Sequence, residues 1–465
     1  MLGINDKPNS AAPSLKLDAR IFILLFIVIA TAAALVTKPV FRPLNLFLTI
    51  TWALYLPVAV TGLIGAFGSR KLRASQFQGI VSNKVIILIP TVARADTLPA
   101  LHRVVTSVLT HAPTNLADFR IDVVMDEGAV GIPEIQKRYA QVPHVNLVIV
   151  PASFRCANGS RHKARANQYA MEVRRAAGEN TSRVFVYHLD DDTAVGPDTI
   201  ASIAEFIAQD DGTFHLAQGV LAFPYELSPS LFSRLADSLR PSDDLARFYF
   251  FTGMKGSPLA GLHGEHLLVR ANIEDEIGWD FGERVIVEDA YFALRFVEKY
   301  PGRSAFLNSC SYGASPRSIK DLIKQRKRWA GGLVGLVFDR TMPLRNKFRL
   351  SYFVANWTSG LVHHVGIILL VAYLLGDVNT SPIERWFIAI WCFNLAYQIW
   401  MYIAGMGINV SVSAVKMPRA ARVLWSILLI PLVFAISAVE AWAAALGILS
   451  FLRRQNAFEV VTKQD

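Results

Sequence analysis

The sequence predicts an α/β domain placed between groups of membrane-spanning helices. Stretches with strand and helix character alternate between residues 70 and 335, and long apolar stretches flank this block on both sides. Such alternation is typical of a mainly parallel sheet that helices cover on both faces. The expected regions are a tail with two spans (1–70), the α/β domain (71–317), an interfacial helix (318–345), C-terminal spans (346–452) and a tail (453–465).

Several apolar stretches are long enough to cross a bilayer, which takes about 20 residues in a helix. They are residues 21–37, 46–67, 353–375, 386–406 and 423–450. A mean hydropathy of +0.34 with only 18% charged residues agrees with this reading. The first stretch also resembles a signal peptide, but the second follows it too closely for cleavage to be expected. We therefore expect a multi-pass integral membrane protein of the cytoplasmic or inner membrane.

The basic excess is expected to face a membrane rather than nucleic acid. Lys plus Arg number 47 and Asp plus Glu 37, a formal net charge of +10. Basic segments at 68–73 and 324–329 border the α/β block, so the positive-inside rule places that block in the cytoplasm. Five spans would leave the C-terminal tail outside although it carries Arg453, Arg454 and Lys463, and we favour a cytoplasmic tail.

The α/β block begins with regular alternation. Its predicted strands are 84–92, 119–128, 145–151 and the apolar run after Arg183, and its predicted helices include 98–111 and 162–177. Ligands of parallel sheets bind beyond the carboxyl ends of the strands. Asp126 and the run from Asp190 to Asp192 fall at two such ends, so they are expected to share one cleft.

The three consecutive aspartates, Asp190, Asp191 and Asp192, carry like charges that repel one another, so we expect a bound cation or solvent to offset the repulsion. Carboxylates one residue apart at a strand end suit Mg²⁺ or Mn²⁺, which bind oxygen ligands and substrate phosphates. A solvated acidic turn is the alternative, because Asp is common at turns. Asp126 at a second strand end favours a site for a cation and a nucleotide.

A second acidic group, Glu288 and Asp289, follows another short apolar run. A carboxylate at a helix start is often only an N-cap. A buried one beside a cation site is instead a candidate general base.

The stretch 318–338 reads as a helix with a basic face beside the membrane, and Trp329 would anchor it at the interface. That account explains its charge but not the spacing of Gln325, Arg328 and Trp329, which places three side chains on one helical face. A guanidinium can hold a diphosphate and an indole can stack on a sugar ring.

Other motifs carry weaker signals. "HGEH" (263–266) lacks the spacing of a zinc motif, although His263 could line an acceptor site, and "DFG" (280–282) lacks the other parts of a kinase. His363 and His364 fall in a predicted span, where histidines are either functional or bonded between helices. The three cysteines are far apart and predict neither a zinc knuckle nor a disulfide framework.

Six motifs occur in the order found in membrane-embedded family-2 inverting glycosyltransferases. They are "PTV", "VVMDEG", "HKARAN", "HLDDDT", "VED" and "QRKRW". The chain resembles this family, which includes the cellulose, chitin and hyaluronan synthases, and within it most resembles the egghead-type β-1,4-mannosyltransferases. The resemblance implies a cytoplasmic GT-A (Rossmann-like) domain inserted between transmembrane helices.

The resemblance also implies roles for individual residues. The donor nucleotide would be bound by Thr91, Asp126, Lys163 and Asp190, and a Mg²⁺ or Mn²⁺ ion by Asp190 and Asp192. Catalysis would fall to Asp289 as the base, with Glu288 beside it. The diphosphate and acceptor would be bordered by Gln325, Arg328, Trp329 and His263.

This sequence departs from the family at Glu127, where a second aspartate is usual, and at Val287, where threonine is frequent. The tail segment "FEVVTK" resembles a gating loop of the polysaccharide synthases.

The function expected from the resemblance is transfer of mannose from GDP-mannose to a lipid-linked or glycan acceptor, giving a β-glycoside. One alternative is a processive synthase that uses a UDP-sugar and exports a polymer. Alternatives of another class are a non-catalytic nucleotide-sugar sensor and a glycan transporter. The expected partners are the nucleotide sugar, the acceptor and the lipid bilayer, with no nucleic acid.

Overall fold

The computed structural model describes residues 17–36, 42–364, 385–414 and 418–453. Within these ranges eight strands form one sheet in the order β3-β2-β1-β4-β7-β6-β8-β5. The strands are β1 Lys84–Thr91, β2 Phe119–Asp126, β3 Val145–Val150, β4 Val184–His188, β5 Ala194–Val195, β6 Leu216–Ala222, β7 Leu267–Arg270 and β8 Ser304–Tyr312.

Helices make up most of the remainder of the described chain. They are α1 Ala19–Val36, α2 Arg42–Ser69, α3 Leu98–His111, α4 Ile132–Tyr139, α5 His162–Ala176, α6 Pro197–Ala208, α7 Leu231–Ala236, α8 Leu239–Asp243, a π-helix Asp244–Met254, α9 Ala271–Ile277, α10 Glu288–Lys299, α11 Ile319–Val337, α12 Leu344–Thr358, α13 Arg385–Val412 and α14 Arg419–Leu452. The strands and helices predicted in the first half of the α/β block, and the helix predicted at 318–338, are confirmed to within two residues.

The sheet is parallel only in part. Strands β3, β2, β1 and β4 are parallel neighbours, as the alternating sequence predicts. Beyond them β7 runs antiparallel to both β4 and β6, so the sheet is mixed and the prediction of a mainly parallel sheet holds for the first half. The reason is that regular alternation ends at β4, and the four-residue strand β7 is inserted between β4 and β6.

Both faces of the sheet are covered, as predicted. The side chains of β1 alternate between two buried clusters: Val85 and Ile87 pack with residues of α3, α4 and α6, whereas Ile86 and Leu88 pack with residues of α5, α9 and α10. This alternation follows from the two-residue period of a strand. The apolar positions of both faces therefore hold the strand ends in a fixed register.

The long apolar helices pack directly against the α/β domain. Ala59 and Leu63 of α2 and Trp400 of α13 belong to one buried cluster with Val220 of β6 and Leu245 of the π-helix. The domain and these helices therefore share a core.

Two of the predicted spans lie in helices long and apolar enough to cross a membrane, at Ile50–Ser69 and Ile427–Leu452. The apolar part of α1 is shorter, Ala19–Ala33. Helix α13, which contains the stretch 386–406, is long, but its described part is not apolar enough to count with these two. Residues 365–375 of the remaining stretch lie outside the described residues, as do Arg454, Lys463 and the "FEVVTK" segment. Length and composition alone support the two helices as possible spans.

Candidate active site

The carboxyl ends of β1, β2 and β4 open into one cavity of about 670 Å³. Thr91 ends β1, Asp126 ends β2, and Asp190 follows β4 by two residues. The strand ends that were expected to share one cleft therefore line the same cavity. The cavity continues from there between the helices that border the domain.

All eleven residues predicted for the donor, the cation, the acceptor or catalysis line this cavity. They are Thr91, Asp126, Lys163, Asp190, Asp192, His263, Glu288, Asp289, Gln325, Arg328 and Trp329. Their segments lie far apart in the chain, so the fold brings them together.

Three carboxylates from two segments form a compact cluster that lines the cavity. One oxygen of each of Asp190, Asp192 and Glu265 lies within 4.8 Å of the others. Asp192 and Glu265 are 3% and 5% exposed, so little solvent screens their charge. Oxygen donors of this kind are the ligands preferred by Mg²⁺ and Mn²⁺, so the donor set fits the cation that the sequence predicts.

Glu265 is the member of this cluster that sequence reasoning missed. It lies in the "HGEH" segment two residues before β7, and it accepts a hydrogen bond from the Thr193 hydroxyl. Arg240 of α8 lies 3.6 Å from its other oxygen. The spacing of "HGEH" excludes a zinc motif, but a lone glutamate before a short strand gives no sequence signal that it will meet two aspartates.

Thr91 contacts the aspartate run rather than open space. Its hydroxyl donates a hydrogen bond to Asp191 at 2.6 Å and accepts one from the backbone N–H of Ala93 at 3.0 Å. The end of β1 thereby fixes the turn after β4. The middle aspartate of the run is thus held by the protein, and its two neighbours contribute to the carboxylate cluster.

Lys163 links the carboxylate cluster to α10. Its ammonium group pairs with Asp190 and donates to the carbonyl oxygen of Gly264 at 2.8 Å. Burial would lower the pKa of Lys163, but the nearby carboxylates of Asp190, Glu288 and Asp289 raise it above its usual value. This side chain therefore stays a cation between the two acidic groups.

Asp126 is the most exposed of the predicted donor ligands, with a side chain 60% accessible. Arg165 of α5 pairs with it and also donates to the carbonyl oxygen of Pro151 at 2.7 Å. His162 lies at the same mouth of the cavity with a positive φ of 54°. Burial and the charge of Arg161 lower the pKa of this histidine, which keeps it neutral at physiological pH.

Glu288 and Asp289 occupy the first two positions of α10, where the partial positive charge of a helix N-terminus favours carboxylates. Val287 is the N-cap residue, so neither carboxylate is there as a cap. Burial and then the charge of Asp289 raise the pKa of Glu288 to about 7. Asp289 accepts from the N–H of Ala290 at 2.8 Å and is half-buried in the cavity wall.

His263 forms a pair with Asp244 of the π-helix. Its Nε2 lies 2.5 Å from an Asp244 oxygen, and its ring stacks on Phe248 with centroids 4.6 Å apart. Asp244 was not predicted, because no sequence pattern links a π-helix to the "HGEH" segment.

Helix α11 contributes part of the cavity wall. Gln325, Arg328 and Trp329 all line it, which agrees with the single helical face predicted from their spacing. The guanidinium groups of Arg326 and Arg240 lie over the Trp329 ring, 4.5 and 5.0 Å from its centroid. These two arginines were not predicted as part of the site.

The motifs interpreted as incidental have structural contacts. His266 is buried, bonds the Tyr187 hydroxyl at 2.7 Å, and has its pKa lowered to about 4 by burial. Asp280 of "DFG" accepts from the backbone N–H of Asn158 at 2.5 Å. His364 forms a hydrogen bond with the Ser437 hydroxyl at 2.8 Å. This contact joins two helices, so it matches the expectation of a histidine bonded between helices rather than that of a functional one.

A family model described as Glycosyl transferase family group 2 matches residues 185–438, more than half of the chain. The chain belongs to this family. The matched segment contains the carboxylate cluster, the start of α10 and the whole of α11. The membership predicted from the six motifs is therefore confirmed.

Relatives in this family include mannosyltransferases. Beta-1,4-mannosyltransferase egh of Drosophila melanogaster is 27% identical over 324 residues, 69% of this chain and 66% of that protein. Beta-1,4-mannosyltransferase bre-3 of Caenorhabditis elegans is 27% identical over 255 residues, 55% of this chain and 53% of that protein. The chain thus matches between about half and two thirds of the length of these relatives.

Solved structures of glycosyltransferases are also similar at low identity. Mannosyltransferase PcManGT from Pyrobaculum calidifontis, in complex with GDP-Man and Mn²⁺, gives a TM-score of 0.49 at 14% identity, covering 93% of this chain and 99% of that one. S. aureus TarS residues 1–349, in complex with UDP, gives a TM-score of 0.33 at 13% identity, covering 81% and 94%.

Proposed function

We propose that this member of the family is a cation-dependent inverting glycosyltransferase with a GT-A domain set among membrane helices. It transfers a hexosyl residue, mannose from GDP-mannose, to a hydroxyl of a lipid-linked or glycan acceptor. The observation that carries the proposal is that the acidic cluster, Lys163 and the carboxylates at the start of α10 line one cavity. The relatives named as β-1,4-mannosyltransferases support the choice of sugar.

Binding of the donor is assigned to the strand end of the cavity. Asp126, Thr91 and Lys163 line the cavity. Asp126 and Thr91 would border the nucleoside, and the charge of Lys163 would meet the diphosphate. Asp190 and Asp192 would hold the cation, with Glu265 within reach of the same position. A divalent cation there neutralises charge on the leaving diphosphate.

Asp289 is assigned as the general base. It removes the proton from the acceptor hydroxyl as that oxygen bonds to the anomeric carbon, and the bond from this carbon to the diphosphate breaks. Attack opposite the leaving group inverts the configuration, so an α-linked donor gives a β-glycoside. The proton ends on the Asp289 carboxylate, and the electron pair leaves with the nucleoside diphosphate.

Acceptor binding is assigned to the helix end of the cavity. Gln325, Arg328 and Trp329 line the cavity from α11, and His263 lines it beside Asp244 of the π-helix. Aromatic rings beside charged and amide groups suit a sugar, which offers an apolar face and hydroxyl groups. The apolar helices that border this end are consistent with an acceptor carried on a lipid.

The test is nucleotide release by the full-length protein in lipid nanodiscs with Mn²⁺, from GDP-mannose and the common UDP-sugars. The Asp289→Asn variant removes the base, and Asp211→Asn, an exposed aspartate before β6, is the matched control. We expect release from GDP-mannose that Asp289→Asn abolishes and Asp211→Asn retains. Release from a UDP-sugar with growing products would instead identify a polysaccharide synthase, and no release from any donor would contradict the proposal.

A further inference from the structure

A buried ion cluster surrounds Arg326, whose side chain is 3% exposed. Its Nη2 donates to Asp237 at 3.0 Å, and its Nε donates to Glu440 at 3.0 Å. Its Nη1 donates to the side-chain oxygen of Gln325 at 2.7 Å. All three nitrogen atoms of the guanidinium are therefore bonded to the protein.

The two carboxylates that hold Arg326 come from separate helical elements. Asp237 follows α7 and Glu440 lies within α14, in the part long and apolar enough to cross a membrane. Both are buried. Removal of one partner from such a cluster leaves an uncompensated charge, so its geometry is held tightly. Arg326 thus fixes α11 relative to α14.

The same guanidinium also touches the cavity wall. It lies over the Trp329 ring at 4.5 Å from the centroid, and the bond to Gln325 holds that carboxamide in place. Both residues line the cavity, as do Arg326 and Glu440 themselves. Arg326 therefore lies between the ion cluster and the two side chains assigned to the acceptor.

We infer that Arg326 is a positioning residue: clamped by Asp237 and Glu440, it sets the Trp329 indole and the Gln325 carboxamide for the acceptor and ties α14 to acceptor binding. This inference rests on the proposed function for the meaning of acceptor binding. It assigns to Arg326 no contact with the reacting atoms. A lysine would keep the charge but could not bond both carboxylates and Gln325 at once, because it lacks the planar fork.

The test combines a structural readout with kinetics on the full-length protein in lipid nanodiscs. The chain has nine tryptophans. Labelling with 5-fluorotryptophan gives ¹⁹F resonances, of which the one lost in Trp329→Phe belongs to Trp329. Octyl β-D-glucoside serves as the probe acceptor with GDP-mannose, and calorimetry gives the affinity for GDP with Mn²⁺. The variants are Arg326→Gln, Arg326→Lys and, should the first not fold, Glu440→Gln.

The matched control is Arg120→Gln. Arg120 also bonds two carboxylates, Asp122 at 2.7 Å and Glu179 at 2.8 Å. It is the second residue of β2, whereas Asp126, which lines the cavity, is the last residue of the same strand. Its loss should lower the melting temperature without reaching the cavity. It therefore separates loss of a partly buried ion cluster from loss of positioning.

We expect Arg326→Gln to move the Trp329 resonance and to raise the acceptor KM roughly tenfold to a hundredfold, with GDP affinity unchanged. Arg326→Lys should give an intermediate effect, and Arg120→Gln should change neither quantity. An unmoved resonance and an unchanged KM in a folded Arg326 or Glu440 variant would overturn the inference, as would equal effects in Arg120→Gln. Absence of transfer by the wild type would count against the proposed function alone, because the ¹⁹F shift is read without turnover.

Discussion

The two ends of the cavity are built in different ways. At the strand end, Thr91, Asp126 and Asp190 lie at or just beyond the carboxyl ends of parallel strands. At the helix end, side chains such as Tyr55 of α2, Arg247 of the π-helix and Tyr397 of α13 come from helices distant in the chain. The first end therefore depends on local sequence and sheet topology, and the second on how separate helices pack.

This difference suggests a division of labour. The strand end carries the acidic cluster and Lys163, which suit a nucleotide diphosphate with its cation, whereas the helix end carries aromatic rings beside ion pairs, which suit a sugar acceptor. Asp289 lies at the start of α10, close enough to Lys163 to raise the pKa of that side chain. Substitutions at the two ends should therefore change different kinetic constants.

The largest effect is expected for Asp289→Asn. The amide cannot take the acceptor proton, so turnover should fall by roughly a hundredfold to ten-thousandfold. The affinity for GDP with Mn²⁺ should stay within about twofold, because Asp289 is assigned no contact with the nucleotide and this change is smaller than the loss of one hydrogen bond would cause. Timed assays of nucleotide release measure the turnover, and calorimetry on the same preparation measures the GDP affinity. If the variant kept wild-type turnover, Asp289 would not be the catalytic base.

Asp192→Asn should act mainly on the cation. Loss of one charged oxygen donor from the cluster should weaken Mn²⁺-dependent GDP binding by at least about tenfold, since loss of a residue that only supports a metal ligand already costs about tenfold to a hundredfold. Chelation of the metal should abolish binding in the wild type, and added Mn²⁺ should restore it. Equal GDP affinity with and without Mn²⁺ would contradict the assignment of this cluster, and Asp211→Asn is the control.

Trp329→Ala tests the helix end. Stacking of a ring on an aromatic side chain contributes about 1 kcal/mol, so the acceptor KM should rise about fivefold to tenfold. GDP affinity should not change, because the indole is assigned to the acceptor and not to the nucleotide. A change in GDP affinity without a change in the acceptor KM would contradict the assignment of Trp329 to the acceptor.

Glu288 gives a prediction on pH. Its folded-state pKa of about 7 is raised above that of the unfolded chain, so the contribution of Glu288 to stability is fully present below the unfolded pKa and is lost as pH rises through about 7. Glu288→Gln removes the titration. Its melting temperature relative to the wild type should therefore increase from about pH 5 to about pH 8, and a difference independent of pH would contradict the raised pKa.

The smallest effect is expected for Asp126→Ala. Because its side chain is 60% accessible, water can replace much of its contact with the nucleotide. The donor KM should rise about twofold to tenfold, the range of one ordinary hydrogen bond, with the acceptor KM unchanged. Initial rates at varied concentrations of GDP-mannose measure the donor KM. An effect on the acceptor KM alone would contradict the assignment of Asp126 to the donor.

The sequence predicts the strand end better than the helix end for a physical reason. A residue at the end of an apolar strand, such as Asp126 or Asp190, lies at the carboxyl end of that strand. The carboxyl ends of neighbouring parallel strands lie on the same side of the sheet. Gln325 and Trp329 could be placed on one helical face by their spacing. No local pattern indicates that Glu265 would join the aspartates, or that Arg326 would meet Glu440 more than a hundred residues away.

The absence of a local sequence signal for contacts between distant segments also explains why only the parallel half of the sheet was predicted. Its parallel half follows from regular alternation of strands and helices, while the antiparallel β7 depends on pairing with strands on both sides of it. Such pairing between distant segments is fixed by tertiary packing rather than by local preference.

The most direct test of the account is the configuration of the transferred sugar. Membranes containing the protein are incubated with ¹³C-labelled GDP-mannose, and the labelled glycan is analysed by NMR for its anomeric configuration. The account predicts β-linked mannose in the wild type and none with Asp289→Asn. An α-linked product, or the same β-linked product from the variant, would contradict single-step inversion with Asp289 as the base.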